Sequence, residues 1–125
     1  MNLIAIAQGK ELINYYPHHT TANRLDTIVD VVCKVYNVKR EKLISKSRKQ
    51  PWVTARQFAM YFALKYEVTT QSQIGLFFAK RDHSTVCYAR KKVISLMQIY
   101  PYFRNFHDNV EKELEKLSVF NPYNN

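Results

Sequence analysis

Residues 71–97 read Gln71-Ser72-Gln73-Ile74-Gly75-Leu76-Phe77-Phe78-Ala79-Lys80-Arg81-Asp82-His83-Ser84-Thr85-Val86-Cys87-Tyr88-Ala89-Arg90-Lys91-Lys92-Val93-Ile94-Ser95-Leu96-Met97. After a break at Val68-Thr69-Thr70, Ile74, Phe77 and Phe78 fall on one side of a short helix over residues 72–78. Asp82 fits the N-cap of a longer helix whose inner face carries Val86, Ala89, Val93 and Met97. Short helix, tight turn, longer helix is the helix-turn-helix plan.

In that plan the first turn of the second helix meets base edges in the major groove. Asp82, His83, Ser84 and Thr85 occupy it. Histidine can donate to O4 of thymine or N7 of a purine, hydroxyls can donate or accept, and a threonine methyl can pack on the thymine methyl. Asp82 has two open readings, a base reader accepting from cytosine N4 and a cap accepting from its own helix. A polar trio at a helix start is also common without any ligand. Lys80 and Arg81 precede the helix, and Arg90, Lys91 and Lys92 lie along it, spaced to reach flanking phosphates. The competing reading of such charges is a solvated face.

Upstream, Ala55, Phe58, Ala59, Phe62, Ala63 and Tyr66 predict an amphipathic helix over residues 54–66, with Thr54 as N-cap if Pro51 and Trp52 lie outside. Before it lies the densest basic run, Lys39, Arg40, Lys42, Lys46, Arg48 and Lys49 against the single acid Glu41. Ser45 and Ser47 predict a loop there, after a short helix at about 40–43. A flexible basic loop of this kind can put an arginine into an adjacent minor groove, with Arg48 as the candidate and Lys46 and Lys49 on phosphates. Further out, Leu25, Ile28, Val29, Val32, Cys33, Val35 and Tyr36 predict a first helix from Asn23, with Asn37 as its stop. Downstream of Pro101, Phe103, Phe106, Val110, Leu114 and Leu117 predict a last helix that packs on the others rather than touching DNA. The first twenty-two residues give no clear element.

Composition agrees with a single packed unit. The chain has 125 residues, and 46% of them are hydrophobic. Nineteen Lys and Arg against ten Asp and Glu give a formal net charge of +9, which favours polyanionic partners. Cys33 and Cys87 lack the spacing of a disulfide framework or zinc site and read as buried thiols in a reducing compartment. The apolar run at residues 1–7 is too short for a signal peptide or membrane span, so the expectation is a soluble cytoplasmic protein without cofactor or metal.

Arg56-Gln57-Phe58-Ala59-Met60-Tyr61, Ile74-Gly75, Arg81-Asp82-His83-Ser84-Thr85-Val86 and Ala89-Arg90-Lys91-Lys92-Val93 together resemble the C-terminal DNA-binding domain (domain IV) of the bacterial chromosomal replication initiator DnaA. The resemblance covers about residues 23–98. It implies an all-α, Trp-repressor-like helix-turn-helix fold that binds duplex DNA at short asymmetric boxes, with an additional helix at the C-terminus here. It places the family's major-groove readers on Asp82, His83, Ser84 and Thr85, its minor-groove arginine on Arg48, and a phosphate-contacting arginine on Arg56, with Gln57 a lesser phosphate candidate. Ala79-Lys80 stands where the family usually has glycine, so the turn must be made by non-glycine residues. Gln71 and Ser72 are polar where the family often has an apolar residue or proline. No GxxxxGK[ST] phosphate loop occurs, so the likeness is to the reading domain without the ATPase module.

The expected organisation is an N-terminal extension over 1–22, the helix-turn-helix domain over 23–98, and a C-terminal helix and tail over 99–125. Met1 and the dissimilar end segments favour a free-standing protein over a fragment. Sequence-specific duplex binding in control of replication initiation or transcription is the leading expectation, with a replication initiator or other DNA-bound protein as a further partner and no membrane contact. The alternative is a non-specific DNA-binding or protein-interaction module of a phage or mobile element, using His18-His19, His107 and the aromatics Tyr100, Tyr102, Phe103, Phe106, Phe120 and Tyr123 as a partner surface. An enzyme is not expected, because Asp82, His83 and Ser84, adjacent at one helix start, diverge around the helix instead of forming a nucleophile and base pair.

Overall fold

The computed structural model describes residues 21–117 and Phe120; His18-His19, Tyr123 and nearly all of the 1–22 extension lie outside the described residues. Six helices follow one another: α1 (Thr21–Tyr36), α2 (Arg40–Ile44), α3 (Trp52–Lys65), α4 (Gln71–Phe77), α5 (His83–Ile99) and α6 (Pro101–Glu115). There is no strand among the described residues, and the all-α helix-turn-helix expectation holds with its extra C-terminal helix. No helix among them is long and apolar enough to cross a membrane.

Two of the longer helices, α1 and α3, stop at a residue in the left-handed region. Asn37 ends α1 at φ 62°, and the Val38 amide reaches back to the Cys33 carbonyl at 3.1 Å. That six-to-one bond closes the exposed carbonyls of the last turn, a geometry asparagine adopts more readily than most residues. The same device ends α3 with Glu67 at φ 51°, the Val68 amide on the Ala63 carbonyl at 3.0 Å and the Val68 side chain buried in the core.

α3 is the hub, packing against α1, α2, α4 and α5. The predicted one-sided helix instead buries Thr54, Ala55, Arg56, Phe58, Ala59, Met60, Phe62 and Ala63, because neighbours cover it from several directions. It also starts earlier than expected. Trp52 lies inside, Pro51 borders it, and Thr54 sits in the first turn rather than capping it. The cap is supplied by Gln50, whose Oε1 accepts from the Thr54 amide at 3.2 Å and the Thr54 hydroxyl at 2.8 Å.

α6 packs on α1 and α5 and closes the core with Phe106, Val110 and Leu114. Phe106 meets Tyr36 and Phe58 edge-on, with ring centroids 4.5 and 4.8 Å away, and the buried His107 ring stacks on Phe62 at 5.1 Å. Of the aromatics weighed as a partner surface, Phe106, Phe120 and His107 are therefore core, while Tyr100 and Tyr102 remain exposed.

The turn between α4 and α5 brings two stretches of backbone into close approach. Thr70 caps α4 by accepting from the Gln73 amide at 3.2 Å. Beyond α4, Ala79 and Lys80 both adopt the left-handed region, at φ 62° and 58°, and the Arg81 amide then folds back onto the Gly75 carbonyl at 2.8 Å. A Cβ on Gly75 would lie 2.2 Å from the Arg81 carbonyl oxygen, so only glycine lets the returning backbone come this close. Two consecutive left-handed non-glycine residues each carry a steric cost of roughly 1–2 kcal/mol.

Two substitutions should move stability in opposite directions. Gly75→Ala is expected to destabilise by about 1–3 kcal/mol or more, since the clash is with backbone rather than a mobile side-chain end. Ala79→Gly is expected to stabilise by roughly 0.5–1 kcal/mol, the relieved steric cost less the added chain entropy. Urea unfolding of the two variants beside the parent measures both, and a neutral Gly75→Ala would contradict the close approach described.

Candidate nucleic-acid interface

Asp82 is extended, at φ −85° and ψ 174°, and its Oδ1 accepts from the Thr85 amide at 3.1 Å, the Ser84 hydroxyl at 2.6 Å and the Thr85 hydroxyl at 3.3 Å. The predicted N-cap is thus present. The Ser84 hydroxyl first, then the Thr85 amide, hold this exposed carboxyl below the usual carboxylate range. One consequence concerns the hydroxyls. With both protons directed at Asp82, the Ser84 and Thr85 oxygens offer lone pairs to an incoming group. His83, Ser84 and Thr85 are all exposed.

The basic loop, residues 45–49, is ordered by its own serines. The Ser45 hydroxyl donates to the Lys42 carbonyl at 2.7 Å and accepts from the Ser47 amide at 3.1 Å, and the Ser47 hydroxyl accepts from the Lys49 amide at 3.1 Å. Such short polar side chains close local turns without a regular ladder. Lys46, Arg48 and Lys49 project from this loop, exposed.

Beneath the loop lies Arg56, only 4% exposed. Its Nε donates to the Leu43 carbonyl at 2.6 Å, Nη1 to the Ser47 carbonyl at 2.9 Å and Nη2 to the Lys42 carbonyl at 3.3 Å. From the other side, Arg81 Nη2 donates to the Ser45 carbonyl at 2.9 Å while Nη1 donates to the Phe78 carbonyl at 2.6 Å. Burial, with Arg81 as the second cause, lowers the Arg56 guanidinium to about 10, and burial followed by Arg48 lowers Arg81. Sequence expected both arginines on phosphate. The structure gives each a backbone-holding role that no sequence signal announced, because a main-chain carbonyl is common to every residue and all but that of Phe78 lie nine or more residues away.

Loop and helix start meet at a concavity of about 460 Å³, lined by Lys46, Arg48, Arg56, Gln57, Arg81 and Thr85 among others. Five of the six came from different expectations, the loop, α3 and the turn, and the fold brings them together with the first turn of α5. Lys49, Lys80 and Arg90 are exposed but do not line it. Tyr88, 59% exposed, does line it and was missed. The available signal was its spacing, three residues after Thr85 and therefore on the same helical stripe. Gln71, a departure noted in the sequence, accepts from the Cys87 thiol at 3.1 Å, tying the start of α4 to the second turn of α5.

Elsewhere, ligand atoms of His107, Asp108 and Glu111 lie within 4.8 Å of one another. Lys65 pairs with Glu111, His107 Nδ1 lies 2.9 Å from Asp108 and the His107 ring stacks on Phe62, while the buried His107 Nε2 has no hydrogen-bond partner among the described residues.

A family model described as the bacterial dnaA protein helix-turn-helix matches residues 25–93, more than half of the chain. The chromosomal replication initiator protein DnaA of Bacteroides fragilis is 38% identical over 102 residues, covering 82% of this chain and 21% of that protein. The protein of the same name from Flavobacterium psychrophilum is 39% identical over 90 residues, 72% of this chain and 19% of its own. That of Xanthobacter autotrophicus is 42% identical over 74 residues, 59% of this chain and 15% of its own. The chain therefore spans about a fifth of the length of the curated relatives it matches. The matched stretch runs from α1 into α5 and includes the serine-ordered loop, the left-handed turn and the Asp82 cap, and the chain belongs to the bacterial DnaA helix-turn-helix family.

Proposed function

We propose that this protein reads double-stranded DNA at short asymmetric sites of the DnaA-box kind, in control of replication initiation or transcription. The observation that carries this is the meeting of the basic loop with Thr85 of the α5 first turn in the lining of one concavity, Asp82, His83 and Ser84 standing exposed outside that lining. A helix start and a cationic loop so placed can enter adjacent major and minor grooves of one duplex face. Asp82, His83, Ser84 and Thr85 act on base edges. Arg48 enters the minor groove, Lys46, Lys49, Lys80 and Arg90 neutralise phosphates and Gln57 donates a hydrogen bond to one, with Arg56 and Arg81 lining the same concavity. Because Ser84 and Thr85 give their protons to Asp82, they select groups that donate, the N6 amino of adenine or the N4 amino of cytosine.

The reading assigns recognition and no chemistry. The 125 residues contain no GxxxxGK[ST] motif with which to cradle a nucleotide, and no nucleotide chemistry is assigned to them. A replication initiator bound at neighbouring boxes is the natural protein partner, and the cytoplasm, where the bacterial chromosome lies, is the compartment. The second reading, non-specific binding by a module of mobile-element origin, has the formal charge of +9 in its favour.

Selection from a random duplex library at fixed moderate salt separates the two. Enrichment of a box-like motif, bound about a thousandfold or more above random duplex, is the expected result; a flat library with a steep salt slope overturns it. On the enriched duplex, His83→Ala should lose about 1–3 kcal/mol of discrimination at one position. Lys49→Ala should weaken all sequences alike and reduce the salt slope by about one contact. Selectivity that survives His83→Ala would show that the wrong helix had been assigned to the groove.

Asp82 adds a pH dependence. Its carboxyl is lowered by the Ser84 and Thr85 bonds, so its contribution to the α5 start is complete above the ordinary carboxylate range and disappears as pH falls through the lowered value beneath that range. The Thr85 amide resonance should follow that titration, and Asp82→Asn, which keeps an acceptor, should abolish the titration while retaining the cap. A Thr85 amide indifferent to acid would contradict the bond.

A further inference from the structure

We infer that Arg81 is a positioning residue for the basic loop: it fixes residues 45–49 to the helix-turn-helix turn, so that Arg48 and the α5 reading edge keep one register along the duplex. This rests on the reading of Arg48 as a minor-groove contact. The fork of Arg81 spans two elements 33 residues apart in sequence, from the Phe78 carbonyl in the turn at 2.6 Å to the Ser45 carbonyl in the loop at 2.9 Å. Its backbone is fixed as well, since the Arg81 amide is bonded to the Gly75 carbonyl at 2.8 Å. The donor thus stands in the turn that makes this close approach, immediately before the Asp82 cap.

Arg56 does a different job. It ties the Lys42, Leu43 and Ser47 carbonyls to α3, and so holds the loop to the core. Among the hydrogen bonds of the described residues, the one from Arg81 to Ser45 links residues 45–49 to the turn that carries α5. Two of the five N–H donors of Arg81 are committed to carbonyls, and the other three make a direct phosphate contact the rival role. A loop mounted in this way arrives at DNA already ordered, whereas a free loop would lose backbone freedom on binding at each residue fixed. The three neighbouring guanidiniums of Arg48, Arg56 and Arg81 disfavour one another electrostatically, and the carbonyls of residues 42, 43, 45, 47 and 78 supply the compensating dipoles.

The test uses the full 125-residue chain in two arms. In the free protein, Arg81→Gln should raise amide hydrogen exchange at Ser47 and Lys49 about tenfold or more while the α3 amides of Phe58 and Phe62 exchange as in the parent. This arm needs no DNA and stands even if the proposed box reading fails. In the second arm, affinity for the selected duplex is measured for Arg48→Ala, Arg81→Gln and the double variant. If Arg81 acts through the loop, each single change loses roughly ten- to a hundredfold and the double loses scarcely more than Arg48→Ala alone. Fully multiplicative losses, with Arg81→Gln lowering the salt slope by about one contact in either background, would make Arg81 a direct phosphate ligand and overturn the inference. Arg81→Lys, which keeps the charge and at most one of the two bonds, should give intermediate exchange and weakened binding. Wild-type behaviour from Arg81→Lys shows that charge alone suffices and overturns it. Global unfolding of both Arg81 variants also overturns it, since the role would then be fold-wide.

Discussion

Everything at the reading edge hangs on the approach of the Arg81 backbone to Gly75. One amide bond of 2.8 Å, across a gap that would not admit a methyl group, sets where α5 begins relative to α4. Ala79 and Lys80 must turn left-handed to let the chain return, and Asp82 must then stand extended to cap α5. Asp82 in turn fixes the hydroxyls of Ser84 and Thr85. A single backbone contact therefore determines the position of the helix and, through it, the hydrogen-bond polarity of its first turn.

The core explains why this edge can be rigid. α3 is buried on most sides, and α5 lies across it with Val86, Ala89 and Val93 inward, leaving the opposite stripe to solvent. α6 covers α1 and α5 with Phe106, Val110 and Leu114, so the long helix is held along its length as well as at its start. Close-packed interiors of this kind resist small displacements, which keeps the spacing between loop and helix start from drifting.

Periodicity and caps made much of this legible in sequence. The inward residues of α1, α4, α5 and α6 follow 3.6-residue spacing, Asn37 announced a stop, and Asp82 announced a start. Thr54 misled because the helix starts before it, and its own amide and hydroxyl donate to Gln50 four residues earlier. α3 misled because a helix covered from several directions loses the one-sided pattern that marks a surface helix. Arg56 and Arg81 read as surface charge because their partners are main-chain carbonyls, which every residue has and no sequence pattern reveals. Tyr88 was hidden by its neighbours. Within a stretch rich in polar residues, only its spacing from Thr85 distinguished it.

The serine-and-arginine scaffolding of the loop has a consequence for how this surface responds to its surroundings. Guanidinium donors, serine hydroxyls and peptide carbonyls do not change protonation state near neutrality, even with Arg56 lowered to about 10. The bonds of Arg56 are largely withdrawn from solvent, where mobile ions screen poorly. The cations projecting from the loop, by contrast, stand in open water, where screening is strongest. Architecture and adhesion are thus insulated from each other: a change in ionic conditions tunes how strongly the surface holds a polyanion while leaving the shape it presents unaltered.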